Sequence, residues 1–192
     1  MKRPSLLSAT EIQTLIAGRA ISEKPPWSTN DEAAIDSYYK GVCDAVSRST
    51  TALSRIEWQH YGSGYASFVD AWFYKCSSDF NVNKPSRYGE EHVGLAVLLS
   101  RLSPYYVFIE AEQHWHPHGC SGYLPALGMV DILQNPGVVG LSEQVQQVLA
   151  SFGLIRVSRD ELAEPLPPNL QVPTILTEGP YTQFDALFYW ED

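Results

Sequence analysis

The chain reads as an α+β fold: one domain over residues 1–192, with a mainly antiparallel sheet packed against about four helices. Three observations carry this expectation. Helix-period and strand-period stretches are interleaved without strict strand–helix–strand alternation, which argues against a doubly wound parallel sheet. The chain has 192 residues, 44% hydrophobic and 12% aromatic, enough for one sizeable core without a metal or disulfide staple. There is no internal repeat at a fixed period and no low-complexity tract.

The elements follow in order. Ser8 and Glu11 have capping-box spacing, Leu7 and Ile12 occupy staple positions, and Gly18 can end the first helix. Pro25-Pro26 marks an extended link. A second capping box, Thr29 with Glu32, opens a longer helix whose stripe is Ile35, Tyr39, Val42, Val46, Leu53 and Ile56, with a break at Ser49-Thr50-Thr51. Gly62-Ser63-Gly64 is a turn, and Phe68 to Lys75 reads as an aromatic-rich strand. Asn81 to Gly89 is loop-like. Glu90 to Leu102 is apolar on nearly all sides and predicts a central buried helix, stopped before Pro104.

Tyr105 to Trp115 alternates as a strand, with Glu110, Glu112 and His114 on one face. Gly119 to Gly128 is rich in turn residues. Asn135 caps a helix with Pro136 at its first position and Gly153 just past its end. Leu154 to Val157 is a short strand and Glu164 to Pro173 a proline-rich connector. Thr182 to Asp192 alternates again, which predicts a strand with Phe184, Ala186, Phe188 and Trp190 in the core.

The charge is unevenly spread. The net charge is −9; residues 102–192 carry two basic residues, Arg156 and Arg159, against eleven acids, while the first 101 residues balance. Such a chain is a poor fit to a nucleic-acid backbone, which requires clustered Lys and Arg, and a good fit to a cationic protein partner. Three cysteines without CxxC spacing fit a reduced, cytoplasmic setting. Glu11 and Gln13 interrupt the apolar stretch a signal peptide would need after Lys2 and Arg3, and no run is long enough to span a membrane.

Two constellations carry functional expectations. His114, His116 and His118 fall within five residues, and alternate positions of a strand can present two imidazoles to one metal. The run resembles the HxHxH pattern of histidine-triad nucleotide enzymes, and His116-Pro117-His118-Gly119 the HPHG of hexose-phosphate uridylyltransferases. That resemblance implies a small hydrolase or transferase with His118 as nucleophile. Pro117, Gly119 and Cys120 depart from the hydrophobic residues the triad pattern has there, and Pro117 predicts the end of the strand. No GxSxG elbow is present, Cys43 falls on a packing face, His60 and His92 are isolated, and Glu110 with Glu112 read as a solvated strand face. No catalytic set, metal ligand set or cofactor is therefore assigned.

The second constellation is the acidic C-terminal region, where Glu178, Tyr181, Asp185, Tyr189 and Glu191 surround a well-anchored final element. Carboxylates steer a basic partner and aromatics supply affinity, so these five are the expected partner-binding residues. The ending Gly179-Pro180-Tyr181-Thr182-Gln183-Phe184-Asp185-Ala186-Leu187-Phe188-Tyr189-Trp190-Glu191-Asp192, together with Ser100-Arg101-Leu102-Ser103-Pro104-Tyr105-Tyr106 and the strand after it, resembles bacterial immunity proteins that accompany polymorphic toxins of the Rhs or type VI secretion kind. That resemblance implies a cytoplasmic protein that binds and occludes one cognate secreted toxin, without turnover, nucleic acid or membrane. The acidic half points to a basic toxin domain.

Overall fold

The computed structural model describes residues 5–81, 90–116 and 119–192, of which 90, 114–116 and 119–121 are described by backbone alone. The order is α1 (Ala9–Ile16), α2 (Glu32–Thr50), β1 (Leu53–Glu57), β2 (Tyr65–Ala66), β3 (Phe68–Tyr74), β4 (Glu90–Ser100), β5 (Tyr105–His116), β6 (Gly119–Ser121), α3 (Pro136–Ser151), β7 (Ile155–Arg156), α4 (Arg159–Leu162), α5 (Gln183–Leu187) and β8 (Trp190–Glu191), with single 3₁₀ turns between some of them. The main sheet runs β1-β3-β4-β5-β6, antiparallel throughout, and β7 adds a parallel pairing to the start of β5. A separate two-stranded ladder joins β2 to β8. The α+β class with a mainly antiparallel sheet is as the sequence predicts.

Local signals account for most ends. Ser8 caps α1 with the reciprocal Glu11 bond, and Asn135 Oδ1 accepts from the amides of Gly137 and Val138 at the start of α3. At α2 the expected cap is corrected: Asp31, not Thr29, accepts from Ala33 N, while Thr29 Oγ1 accepts from Asp31 N. That helix is unbroken to Thr50 and stops at Thr51 in the left-handed region (φ 57°), so Leu53 and Ile56 belong to β1 and not to the helix stripe.

Two larger expectations are overturned. Glu90 to Leu102 is not a helix; β4 is the central strand, paired with β3 over residues 95–100 and with β5 over residues 90–99. Val93, Leu95, Val97 and Leu99 face one layer and Ala96 and Leu98 the other, all buried, so the strand has no polar side to alternate with. Thr182 to Asp192 is not one strand either: Thr182 and Asp185 form a capping box, α5 follows, and only Trp190 and Glu191 are extended.

One face of the sheet carries α2 and α3. Ser54 Oγ, whose residue pairs with Phe73, meets Ser47 Oγ of α2, and Glu110 Oε2 accepts from the amides of Gln134 and Asn135 where α3 begins. The opposite face, with Phe68, Asp70 and Trp72, is covered by loops and the C-terminal segment, Phe188 packing edge-on to Phe68. Gly94 is required there: a Cβ would lie 2.6 Å from the Trp72 indole, which lies across β4 so that Nε1 donates to Ala111 O on β5. The C-terminal segment is anchored by burial of Phe184, Leu187, Phe188 and Tyr189, about 1.5–3 kcal/mol each. Ser67 ties it further, donating to Leu187 O and accepting from Tyr189 N.

Candidate functional site

Charged side chains inside apolar strands need partners. Among the described residues two are buried, Asp70 on β3 and Arg101 just after β4, and both meet the loop between β1 and β2. In that loop His60 and Tyr61 are consecutive non-glycine residues in the left-handed region (φ 52° and 57°). This costly conformation sends the two side chains to different clusters.

Arg101 is 1% exposed. Its Nε donates to Asp36 Oδ1 (3.1 Å) and Nη2 to Asp36 Oδ2 (3.4 Å), a two-point grip on α2. Nη1 donates to the carbonyls of Ala66 (2.9 Å) and Phe68 (2.6 Å), and Nη2 to that of Trp58 (3.3 Å). All five N–H groups therefore have acceptors, and the guanidinium offers charge but no free donor. Beside it, His60 Nδ1 accepts from Ala66 N (2.9 Å), so this nitrogen carries no proton, and Nε2 donates to Glu32 Oε1 (2.9 Å). Both ring nitrogens are committed, which leaves no lone pair for general-base work at this site.

The second cluster centres on Asp70, 6% exposed, whose two oxygens accept from Tyr61 Oη (2.9 Å) and Tyr123 Oη (3.0 Å). Burial pushes its carboxyl up to about 6, with the two hydroxyls pulling the other way. Burial, reinforced by the Asp70 charge, holds both tyrosines far above the ordinary phenol value.

A recess of about 140 Å³ opens beside the Arg101 cluster, lined among others by Gly18, Ala20, Asn30, Glu32, Tyr65 and Arg101. Tyr65 lies on β2 opposite Glu191 of β8. Burial pushes its hydroxyl up to about 12; Arg101 opposes that shift, while Glu32, Glu191 and Asp36 add to it. Acids from both halves of the sequence thus converge on one tyrosine, which the charge count along the chain does not reveal.

The expected partner-binding residues are dispersed in role. Glu178 is exposed, and Glu191 sits in the β2–β8 ladder. Ile175 N donates to Trp190 O, which sets the strand-flanking segment that leads to Glu178 against β8. Tyr181 is half-buried, its hydroxyl 3.5 Å from Gln171 Oε1. Asp185 spends Oδ2 on the Thr182 amide and hydroxyl as a helix cap. Tyr189 is corrected outright: it is 1% exposed, its hydroxyl donating to Leu15 O, because α5 turns it inward where a continuous strand would have pointed it out. Sequence reasoning passed over Glu32, Asp36, Tyr65, Asp70 and Arg101; a lone charge inside an apolar run was the available signal for the last two.

The backbone of β5 ends at His116, one residue before Pro117, and pairs with β6 through His116 and Gly119. The side chains of His114 and His116, and all of His118, lie outside what is described, and with them the metal or nucleotide expectation. Among the described residues no His, Cys, Asp and Glu side chains gather as a metal site, and no helix is long and apolar enough to cross a membrane. Compared with protein-family models, curated proteins and solved structures, the chain gives no match.

Proposed function

We propose that the chain is an immunity-type binding protein that occludes a basic, secreted toxin domain and performs no reaction itself. The observation that carries this reading is the place of Tyr65, paired with Glu191 across the β2–β8 ladder and lining one recess with Glu32, with exposed Glu178 three residues beyond Ile175, which bonds to β8. Among the described residues neither Glu178 nor Glu191 has an ion-pair partner, so their charge is available to an incoming protein. Ile175, 56% exposed beside Trp190, supplies an apolar contact within the same edge.

Such a surface acts mainly on encounter: negative potential accelerates association with a basic domain and rejects acidic ones. The test uses as probe a basic toxin domain taken from the reading frame that adjoins this chain's gene, and measures association rate against salt; an adjoining frame without such a domain would itself count against the reading. Replacing Glu178 and Glu191 together by Lys should slow association at least tenfold at low salt and flatten the salt dependence. Unchanged rates would sink the reading.

A further inference from the structure

We infer that the recess between Glu32 and Tyr65 receives the head of one basic side chain, an arginine or lysine of the partner. This rests on the reading above for its partner, though not for its chemistry.

The first argument is hydrogen-bonding capacity. Arg101 lines the recess with every N–H already used, so it cannot grip an anion. Tyr65 Oη makes no hydrogen bond among the described residues, and Glu32 commits only Oε1, to His60. The open Glu32 oxygen can only accept, and Tyr65 Oη can accept beside it, so the pair suits a ligand that donates. Charge agrees: of the two charged side chains lining the recess, Arg101 is paired with Asp36, whereas Glu32 meets only His60, whose Nδ1 accepts a hydrogen bond. Size sets the remaining limit. About 140 Å³ is well below the ~300 Å³ at which pockets for drug-sized ligands begin, and suits a single guanidinium or ammonium group. Access is open, since the Glu32 side chain is 45% exposed.

The test titrates the intact protein, followed by NMR, with blocked tripeptides Ac-Gly-Arg-Gly-NH₂ and Ac-Gly-Lys-Gly-NH₂ against Ac-Gly-norleucine-Gly-NH₂. The basic peptides should shift resonances of Gly18, Ala20 and Tyr65 with at least tenfold tighter apparent binding than norleucine. Glu32→Gln keeps an acceptor for His60 while removing the charge, and should weaken the basic peptides at least fivefold. Ala20→Phe adds bulk at a lining residue and should abolish the shifts, with an unchanged amide spectrum elsewhere confirming the fold. Equal binding of all three peptides, or an unaffected Glu32→Gln protein, overturns the inference. The two proposals fail separately. Peptide discrimination without toxin-domain binding leaves the recess standing and removes the immunity reading; toxin-domain binding that ignores Glu32→Gln does the reverse.

Discussion

Among the described residues two charged side chains are buried, Asp70 and Arg101; they meet the same loop and are handled in opposite ways. Arg101 is saturated: a carboxylate balances its charge and carbonyls take its remaining donors. Asp70 has two neutral hydroxyls and, among the described residues, no cation, so burial wins over hydrogen bonding and raises its carboxyl to about 6. The difference teaches that hydrogen bonds alone do not hold a buried ion in its charged form; a counter-charge does, provided the remaining polar groups are also satisfied.

The largest break in this comparison should come from Arg101→Leu. It strands Asp36 and three carbonyls, and urea unfolding should show a loss of about 3–5 kcal/mol. Next comes Asp70→Asn, where the effect is one of pH. Because the folded carboxyl is raised to about 6 from 3.8, the native state holds its proton more tightly, and this group's contribution to stability falls as pH rises from about 4 to 6. The gap between wild type and Asp70→Asn should change by about 2–3 kcal/mol between pH 4 and pH 7, against the wild type, and parallel stability curves would contradict the assignment. Removing one hydroxyl sharpens the point. Tyr123→Phe should cost about 1 kcal/mol and move the pH-dependent fall upward, since a hydrogen bond favouring the carboxylate is lost; denaturant titrations at several pH values read both. The smallest effect belongs to Glu32→Gln, whose partner contact is half-exposed: a change under about 0.5 kcal/mol in thermal unfolding is expected, so binding losses in that variant would not be stability losses.

Local chemistry was legible where it depended on a few neighbouring residues. The caps at Ser8 and Asn135, the strand at Phe68 and the short strand near Ile155 all follow from such signals. Glu90 to Leu102 failed because a strand buried on both faces has the same uniformly apolar run as a buried helix. Gly94, tucked under Trp72, was the mark of a strand inside it. Thr182 to Asp192 failed for the opposite reason: alternating aromatics imitated a strand, while the Thr182–Asp185 box, the same signal trusted at Ser8, went unused. The site was harder. Arg101 and Asp70 stand out as charges in apolar company, but Asp36 is 65 residues from its partner, and only the register of β3 on β4 and the path of α2 bring them together.

His60 and Tyr61 share a peptide unit, and each belongs to a different cluster. The imidazole at the outer recess and the phenol that reaches Asp70 on β3 are therefore held from adjacent positions of the same loop. One strained turn thus ties the imidazole at the recess to the phenol that bonds the buried carboxylate.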